Sequence, residues 1–348
     1  MRIKVVRAGQ QLPWDGEFPL ILAPMQGLTN RALRRVMVDW VRPDTVFTEF
    51  VRVRPGAKRV IAAGDKSEAA AAFEVPQVVQ LIGRGADGLE TAARLAVSCG
   101  ARHINLNLGC PFGRMTANSG GGALLREGEE IAEILARLRP HVPASLSVKC
   151  RAGFSDPKEI FALLDIFIAG GVDFIVLHPR TVEQKYKGAA DHEITARVVE
   201  ATPLPVIANG DIRTVADAER VRRLCRPAGL MLGRGALSDP LLFTRIRGLA
   251  PAESTPARRA VEITFFLKRL AAAYEGLFCG EKQRLSKLKA VLSHIREGEL
   301  DRPLRKLLRA GNLTSFFARL NDLAEMGGEG VDDDACCPLV VDGYQLVD

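Results

Sequence analysis

Short apolar runs recur along the chain at residues 20–23, 45–49, 77–82, 103–107, 145–150, 174–178, 205–208 and 230–232. Nearly all lack polar alternation; Phe174, Ile175, Val176 and Leu177 follow one another directly. A strand buried on both faces reads this way, as in a parallel sheet covered by helices. Amphipathic stretches of helical period separate most of the runs, at 30–41, 89–98, 127–138, 158–168, 190–200 and 215–225. Asp156-Pro157 reads as an N-cap and first helical residue, and Thr214 as an N-cap. Gly100 and Gly170 stand where helices should stop. Eight strands alternating with helices predict an α/β chain whose first domain, residues 1–250, is a closed (β/α)8 TIM barrel. An open doubly wound sheet is the alternative. The barrel is preferred because polar motifs stand at the ends of nearly every strand.

After Pro251 only helical periodicity remains, broken at Gly280, Gly298 and Gly311. Residues 251–326 therefore predict a smaller C-terminal helical bundle. Residues 327–348, rich in glycine and aspartate, read as a disordered acidic tail. Charge sharpens this division. Of the net charge of +7, residues 256–326 carry +6 and residues 327–348 carry −6. A basic helical segment of this kind suits a polyanion, although such charges are also the ordinary solvated face of a bundle. The basic residues include Arg258, Arg259, Lys282, Lys287, Lys289, Arg296, Arg302 and Lys306. Seven cysteines, none with zinc-finger spacing, fit reduced thiols and a cytoplasmic location. No apolar stretch is long enough for a membrane helix, and residues 1–11 lack the apolar core of a secretory signal.

Candidate chemistry collects where a barrel keeps its active site, at the C-terminal strand ends. In order these are Ala23-Pro24-Met25-Gln26, Thr48-Glu49-Phe50, Gln80, Asn105-Leu106-Asn107-Leu108-Gly109-Cys110-Pro111, Val148-Lys149-Cys150-Arg151, His178-Pro179-Arg180-Thr181, Asn209-Gly210-Asp211 and Gly233-Arg234-Gly235. Polar groups clustered at one end of oily strands need partners, so the ring predicts a bound ligand. The last two motifs offer bare backbone N–H groups and a guanidinium, the phosphate grip of this fold. Lys149 suits the electron-rich edge of a reduced flavin. A salt bridge from Lys149 to Glu49 or Asp211 is the structural alternative. Cys110 stands in a Gly-Cys-Pro turn, and with residues 119–122 it forms a loop that can cover a substrate. A thiol there can serve as nucleophile or general acid. Cys99 and Cys225 read as helix-borne bystanders, and Cys150 should point away from the lumen.

Together these motifs, with Val79-Gln80-Leu81-Ile82-Gly83 and the Gln184, Tyr186 and Gly188 segment, resemble the tRNA-dihydrouridine synthase family from about residue 20 to 248. The segments 48–53 and 119–123 look most like its bacterial C branch, which modifies uridine 16 of the D-loop. The resemblance implies FMN as cofactor, NADPH as reductant, and tRNA gripped at its D-loop and elbow by a monomer. It carries the catalytic acid onto Cys110. It carries flavin contacts onto Pro24, Met25, Gln26, Gln80, Lys149, His178, Asn209, Gly210, Asp211, Gly233 and Arg234. Asn107 and Arg180 map near the target base, and Lys287, Lys289 and Arg296 fall on the expected RNA-binding helices. No metal is implied. Two departures stand out: Phe112-Gly113-Arg114 after the Cys-Pro turn, and Ala190-Asp191-His192 where the family has Ala-Asp-Trp. Three rivals compete. A different flavin barrel acting on a small enone or pyrimidine would share the phosphate loops and need no basic helices. A non-enzymatic RNA-binding protein would tolerate loss of Cys110. A metal-dependent hydrolase lacks a His-x-His after the first strand.

Overall fold

The computed structural model describes residues 11–54, 61–111, 120–296 and 298–326. The expected acidic tail, the adjacent Cys336 and Cys337, and the Phe112-Gly113-Arg114 departure lie outside them.

Eight parallel strands close on themselves. β1 (Leu20–Leu22) pairs with both β2 (Thr45–Phe47) and β9 (Gly229–Leu232). Between them run β4 (Gln77–Ile82), β5 (His103–Leu108), β6 (Leu146–Arg151), β7 (Phe174–His178) and β8 (Val206–Asn209), each bonded to the next. All eight apolar runs are strands. A two-residue piece, β3 (Val51–Arg52), was not expected. It shares β4 as partner with β2, so the second strand is one strand interrupted at residues 48–50. The Thr48 hydroxyl accepts the Gln80 N–H there, at 3.0 Å.

Alternation sorts the side chains. Ile104, Leu106 and Leu108 of β5, with Leu146, Val148 and Cys150 of β6, join the core outside the barrel. Their partners in that layer come from α3 (Ala86–Ser98), α4 (Gly128–Leu138) and α5 (Ile160–Ala169). A second, smaller core fills the lumen with Ile21, Phe47, Val78, Phe174, Val176, Ile207 and Met231. Trp14 packs edge-on against Phe174, with ring centres 4.8 Å apart. Helix α5 starts at Ile160, later than Asp156-Pro157 implied. Asp156 caps a separate turn through Lys158 N, and Glu159 collects the N–H groups of Phe154, Ser155 and Asp156. A single carboxylate serving three donors outweighs the cap.

The chain divides into two compact units. The first holds all the strands. The second comprises residues 32–42, 213–215 and the described residues from Arg234 onward. It contains nearly all of α1 (Arg31–Val41), whose Trp40 stacks on Phe266 at 6.0 Å. Its C-terminal helices are α10 (Pro256–Glu275), α11 (Glu281–Leu292), α12 (Asp301–Leu308) and α13 (Leu313–Glu325). They bury Phe266, Leu288, Leu307 and Phe316 completely. No described helix is long and apolar enough to cross a membrane.

Candidate active site

Strand parity carries polar side chains into one side of the lumen. His103, Asn105 and Asn107 alternate on β5, Ser147 and Lys149 on β6 continue the alternation of Ser145 just before it, and Gln80 enters from β4. Gln80, Asn105 and Ser147 are fully buried and are direct register partners. The Gln80 amide donates to Asn105 Oδ1 at 2.8 Å, and the Asn105 amide donates to Ser147 Oγ at 2.9 Å. Asn107 donates to Gln80 Oε1 at 2.8 Å.

Cys110 stands just beyond β5, half-buried, with its backbone fixed on both sides. The side-chain oxygen Oδ1 of Asn107 accepts the N–H groups of Gly109 and Cys110, each at 3.0 Å. The Gly122 N–H donates to the Cys110 carbonyl at 3.2 Å. This approach demands glycine. A Cβ on Gly121 would lie 3.2 Å from Cys110 Cβ, and one on Gly120 would strike the Gly83 carbonyl at 1.8 Å. Residues 112–119 of the expected covering loop lie outside the described residues. Cys150 and Cys225 are buried, and burial pushes their thiols up to about 12 and about 11. Neither supplies a thiolate at neutral pH.

Lys149 lies half-buried in the barrel mouth and donates to Asn209 Oδ1 at 3.1 Å. Among the described residues it forms no ion pair, so the salt bridges to Glu49 and Asp211 are absent. Asp211 is occupied instead by Arg180. Burial, aided by the nearby Arg151 charge, pulls the Lys149 pKa down to about 8. Asn209 also donates to Met231 O at 2.8 Å, which ties β8 to β9 at the mouth.

Arg180 is almost completely buried. It grips Asp211 with two nitrogens, at 3.2 and 2.5 Å, and donates to the Lys187 and Gly188 carbonyls. Asp211 and Gly210 both adopt positive φ, which shapes the turn after β8. His192 supports the same turn, its Nε2 lying 2.9 Å from the Gly210 carbonyl. That contact requires the proton on Nε2. Desolvation by burial lowers the His192 pKa. Pro24 and Met25 follow β1, half-buried, and Gln26 beside them is exposed. Met25 Sδ would lie 3.6 Å from a Cβ placed on Gly233. His178 ends β7, and its Nε2 would lie 3.3 Å from a Cβ on Gly210. Arg234 opens a short helix in the second unit.

Arg151, quoted in its motif but given no role there, is tied to two loops of the mouth. It donates to the Gly109 carbonyl at 2.9 Å and to the Thr181 and Lys185 carbonyls at 2.8 and 2.7 Å. It thereby joins the turn that carries Cys110 to the loop after β7. Its signal was a charge ending an otherwise buried strand. Asn105 was quoted in its motif without a role, and Ser147 was passed over. Their signal was alternation, since a polar residue at every second position marks a polar lumen wall.

In the second unit the basic residues fall into two sets. Arg258 and Arg259 are spent on Glu262, and Arg259 on Asp239 as well. Lys289 donates to the Ala310 carbonyl at 2.5 Å, and Lys287 lies 5.4 Å above the Phe278 ring. Arg296, Arg302 and Lys306 stand exposed.

A closed parallel barrel carrying a thiol, a lysine and amide groups at its mouth has the layout of a (β/α)8 enzyme. The model of the dihydrouridine synthase family matches residues 21–315, and the chain belongs to that family of flavin-dependent oxidoreductases. The chain is 34% identical over 317 residues to a tRNA-dihydrouridine(16) synthase of Cupriavidus necator, covering 88% of this chain and 94% of the relative. A tRNA-dihydrouridine(16) synthase of Pseudomonas putida is 37% identical over 65% of this chain and 72% of its own length. A tRNA-dihydrouridine synthase B of Pseudomonas syringae is 30% identical over 78% of this chain and 80% of its own.

Proposed function

We propose that this protein reduces the C5=C6 bond of uridine 16 in the D-loop of tRNA, with FMN as cofactor and NADPH as reductant. The observation that carries the reading is the mouth of the barrel. A half-buried lysine stands there without a carboxylate, beside a thiol whose backbone is bonded on both sides. A buried cation needs a negative partner, and the N1/C2 edge of a flavin, together with its phosphate, fits that need. The residues that would hold it are Pro24, Met25, Gln26, Gln80, Lys149, His178, Asn209, Gly210, Asp211, Gly233 and Arg234, with the phosphate at Gly210 and Gly233. When bound, the flavin supplies the hydride that reaches C6 of the uracil. Cys110 then gives its proton to C5 and regains one from solvent, which completes addition of one hydride and one proton. Lys149 holds negative charge at the cofactor. Asn107 and Arg180 stand beside the target base, Arg180 through the loop it anchors.

The base has to be swung out of the folded D-loop to reach this depth. Residues 251–326 form the helical bundle that grips the D-loop and elbow, with Lys287, Lys289 and Arg296 toward phosphate. The protein acts as a monomer in the cytoplasm. Absorption spectra of the full chain test the reading. FMN-loaded protein should show the flavin band, lose it on addition of NADPH, and recover it anaerobically when unmodified tRNA is added. Failure to bind FMN would overturn the proposal. Recovery with a small enone or free pyrimidine, and none with tRNA, would favour the rival flavin barrel.

A further inference from the structure

Five hydrogen-bond steps run in one direction across the lumen. The Ser147 hydroxyl donates to the Ile104 carbonyl at 3.4 Å. Its oxygen is then an acceptor for the Asn105 amide at 2.9 Å. Asn105 Oδ1 accepts from Gln80 at 2.8 Å, and Gln80 Oε1 accepts from Asn107 at 2.8 Å. Asn107 Oδ1 finally accepts the N–H groups of Gly109 and Cys110 at 3.0 Å. The chain begins on a backbone carbonyl, which can only accept, and ends on backbone N–H groups, which can only donate. Each primary amide has one oxygen and one NH2 face, so turning any one of them would set donor against donor at the next step. All four side chains are buried, Asn107 at 8% exposure and the others at 0%. A chain polarised in one sense in a low-dielectric interior strengthens each of its bonds.

We infer that Asn105 and Ser147 are positioning residues that fix the orientation of the Cys110 turn through Gln80 and Asn107. The inference rests on the reading of Cys110 as the proton donor. Asn105 and Ser147 are fully buried, and their amide and hydroxyl groups are bonded within the protein. What they set is which face of Asn107 meets the Cys110 N–H. With the chain broken, the Asn107 amide is free to turn its NH2 toward two N–H groups, and the turn must move. A displacement of about 1 Å at a reacting group costs up to about a hundredfold in rate.

The test uses the full-length, FMN-saturated protein and the variants Ser147→Ala, Asn105→Leu and Ser147→Thr. Two quantities are read. One is the single-turnover reoxidation of reduced protein by unmodified tRNA, with KM for tRNA measured alongside. The other is the rate at which iodoacetamide alkylates Cys110, followed by peptide mass mapping so that the other cysteines do not interfere. Ser147→Ala and Asn105→Leu should slow single turnover about tenfold to a hundredfold with KM within twofold, and should change Cys110 alkylation at least threefold. Ser147→Thr keeps the hydroxyl and should restore both. Wild-type alkylation and turnover in Ser147→Ala would overturn the inference, as would equal damage in Ser147→Thr and Ser147→Ala. If Asn105→Leu fails to fold, Ser147→Ala decides alone. If Cys110→Ala turns over at the wild-type rate, the proton-donor reading falls, and the alkylation arm still decides whether the chain sets the turn.

Discussion

In the barrel lumen, Ser147, Asn105, Gln80 and Asn107 link one backbone group to another through neutral amides and a hydroxyl. In the helical unit, polar burial is done with charge. Glu262 is fully buried and receives Arg245 at 2.5 Å and Arg259 at 3.1 Å, with Ser254 on its other oxygen at 2.9 Å. Asp239 bridges the same two arginines at 2.9 and 3.1 Å. Neutral amides lose little on leaving water once they are paired, and they have a direction. Ions lose several kcal/mol each on burial, and removing one strands the rest. The difference separates the two duties. A site that must orient a thiol uses directional groups. A helical body that must hold together while presenting positive charge uses a closed set of ions inside and leaves other cations outside.

The sharpest way to break the comparison is at the end of the amide chain. Cys110→Ala should lower dihydrouridine formation by about two to four orders of magnitude, the contribution expected of a positioned general acid. FMN binding, read by flavin fluorescence, should be unchanged. A variant that modifies tRNA at the wild-type rate would remove Cys110 from the chemistry. On the other side of the comparison, Glu262→Gln leaves Arg245 and Arg259 with one charged partner between them. Loss of one member of a buried ion set costs about 3–5 kcal/mol. Denaturant unfolding should show a loss of that size, while Asn105→Leu should cost less. Equal losses would erase the distinction between the two kinds of burial.

The barrel was legible because most of its strands are apolar on both faces, β5 and β6 being polar toward the lumen, and its helices are not. The eight runs and six helical stretches needed no tertiary information beyond that alternation. The interruption at 48–50 was not legible, since it depends on the Thr48 hydroxyl meeting Gln80 across the strand pair. Helix α2 (Ala63–Ala69) and the short helices α8 (Arg234–Ser238) and α9 (Leu242–Ile246) were missed. Each is under two turns long, too short for a period to show. Within the candidate site, Cys110 and Lys149 were visible as candidates at strand ends. The contacts of Arg151 were not, because it joins carbonyls of two separate loops, and sequence carries no record of which loops meet. Arg259 was read with the basic surface, yet it is buried in the ion set. Charge alone does not distinguish an outward cation from an inward one with a partner 3 residues on.

The lysine at the mouth gives a smaller, pH-dependent test. In the unfolded chain Lys149 holds its proton up to its ordinary value of 10.5, and in the folded protein only to about 8. Below pH 8 the charged form is strained in both senses: it disfavours folding and attracts an anion. Between pH 8 and 10.5 the unfolded chain binds more protons, so this group's opposition to folding fades as pH rises. The attraction fades as pH rises through about 8, where the folded lysine loses its proton. FMN affinity should therefore drop by about tenfold from pH 7 to pH 9, the order of one charge-assisted hydrogen bond. Lys149→Met should bind more weakly throughout and lose the slope. A slope that survives in Lys149→Met would assign it to another group.

The smallest effect should come from single exposed cations of the helical unit, and there the contrast with buried arginine is cleanest. Arg296 and Arg302 are exposed. Each contact to a tRNA phosphate releases counterions, so Arg296→Gln and Arg302→Gln should each reduce the slope of log affinity against log salt by about one. Stability should move by less than about 0.5 kcal/mol, as for surface substitutions generally. Arg259→Gln should do the reverse, because its charge faces Glu262 and Asp239 and not the solvent. It should destabilise the protein while leaving the salt slope of the remaining folded fraction as in the wild type. If Arg296→Gln and Arg302→Gln leave the slope untouched, the exposed charges of α12 and of the segment after α11 face solvent only, and the RNA grip has to be sought elsewhere on the chain.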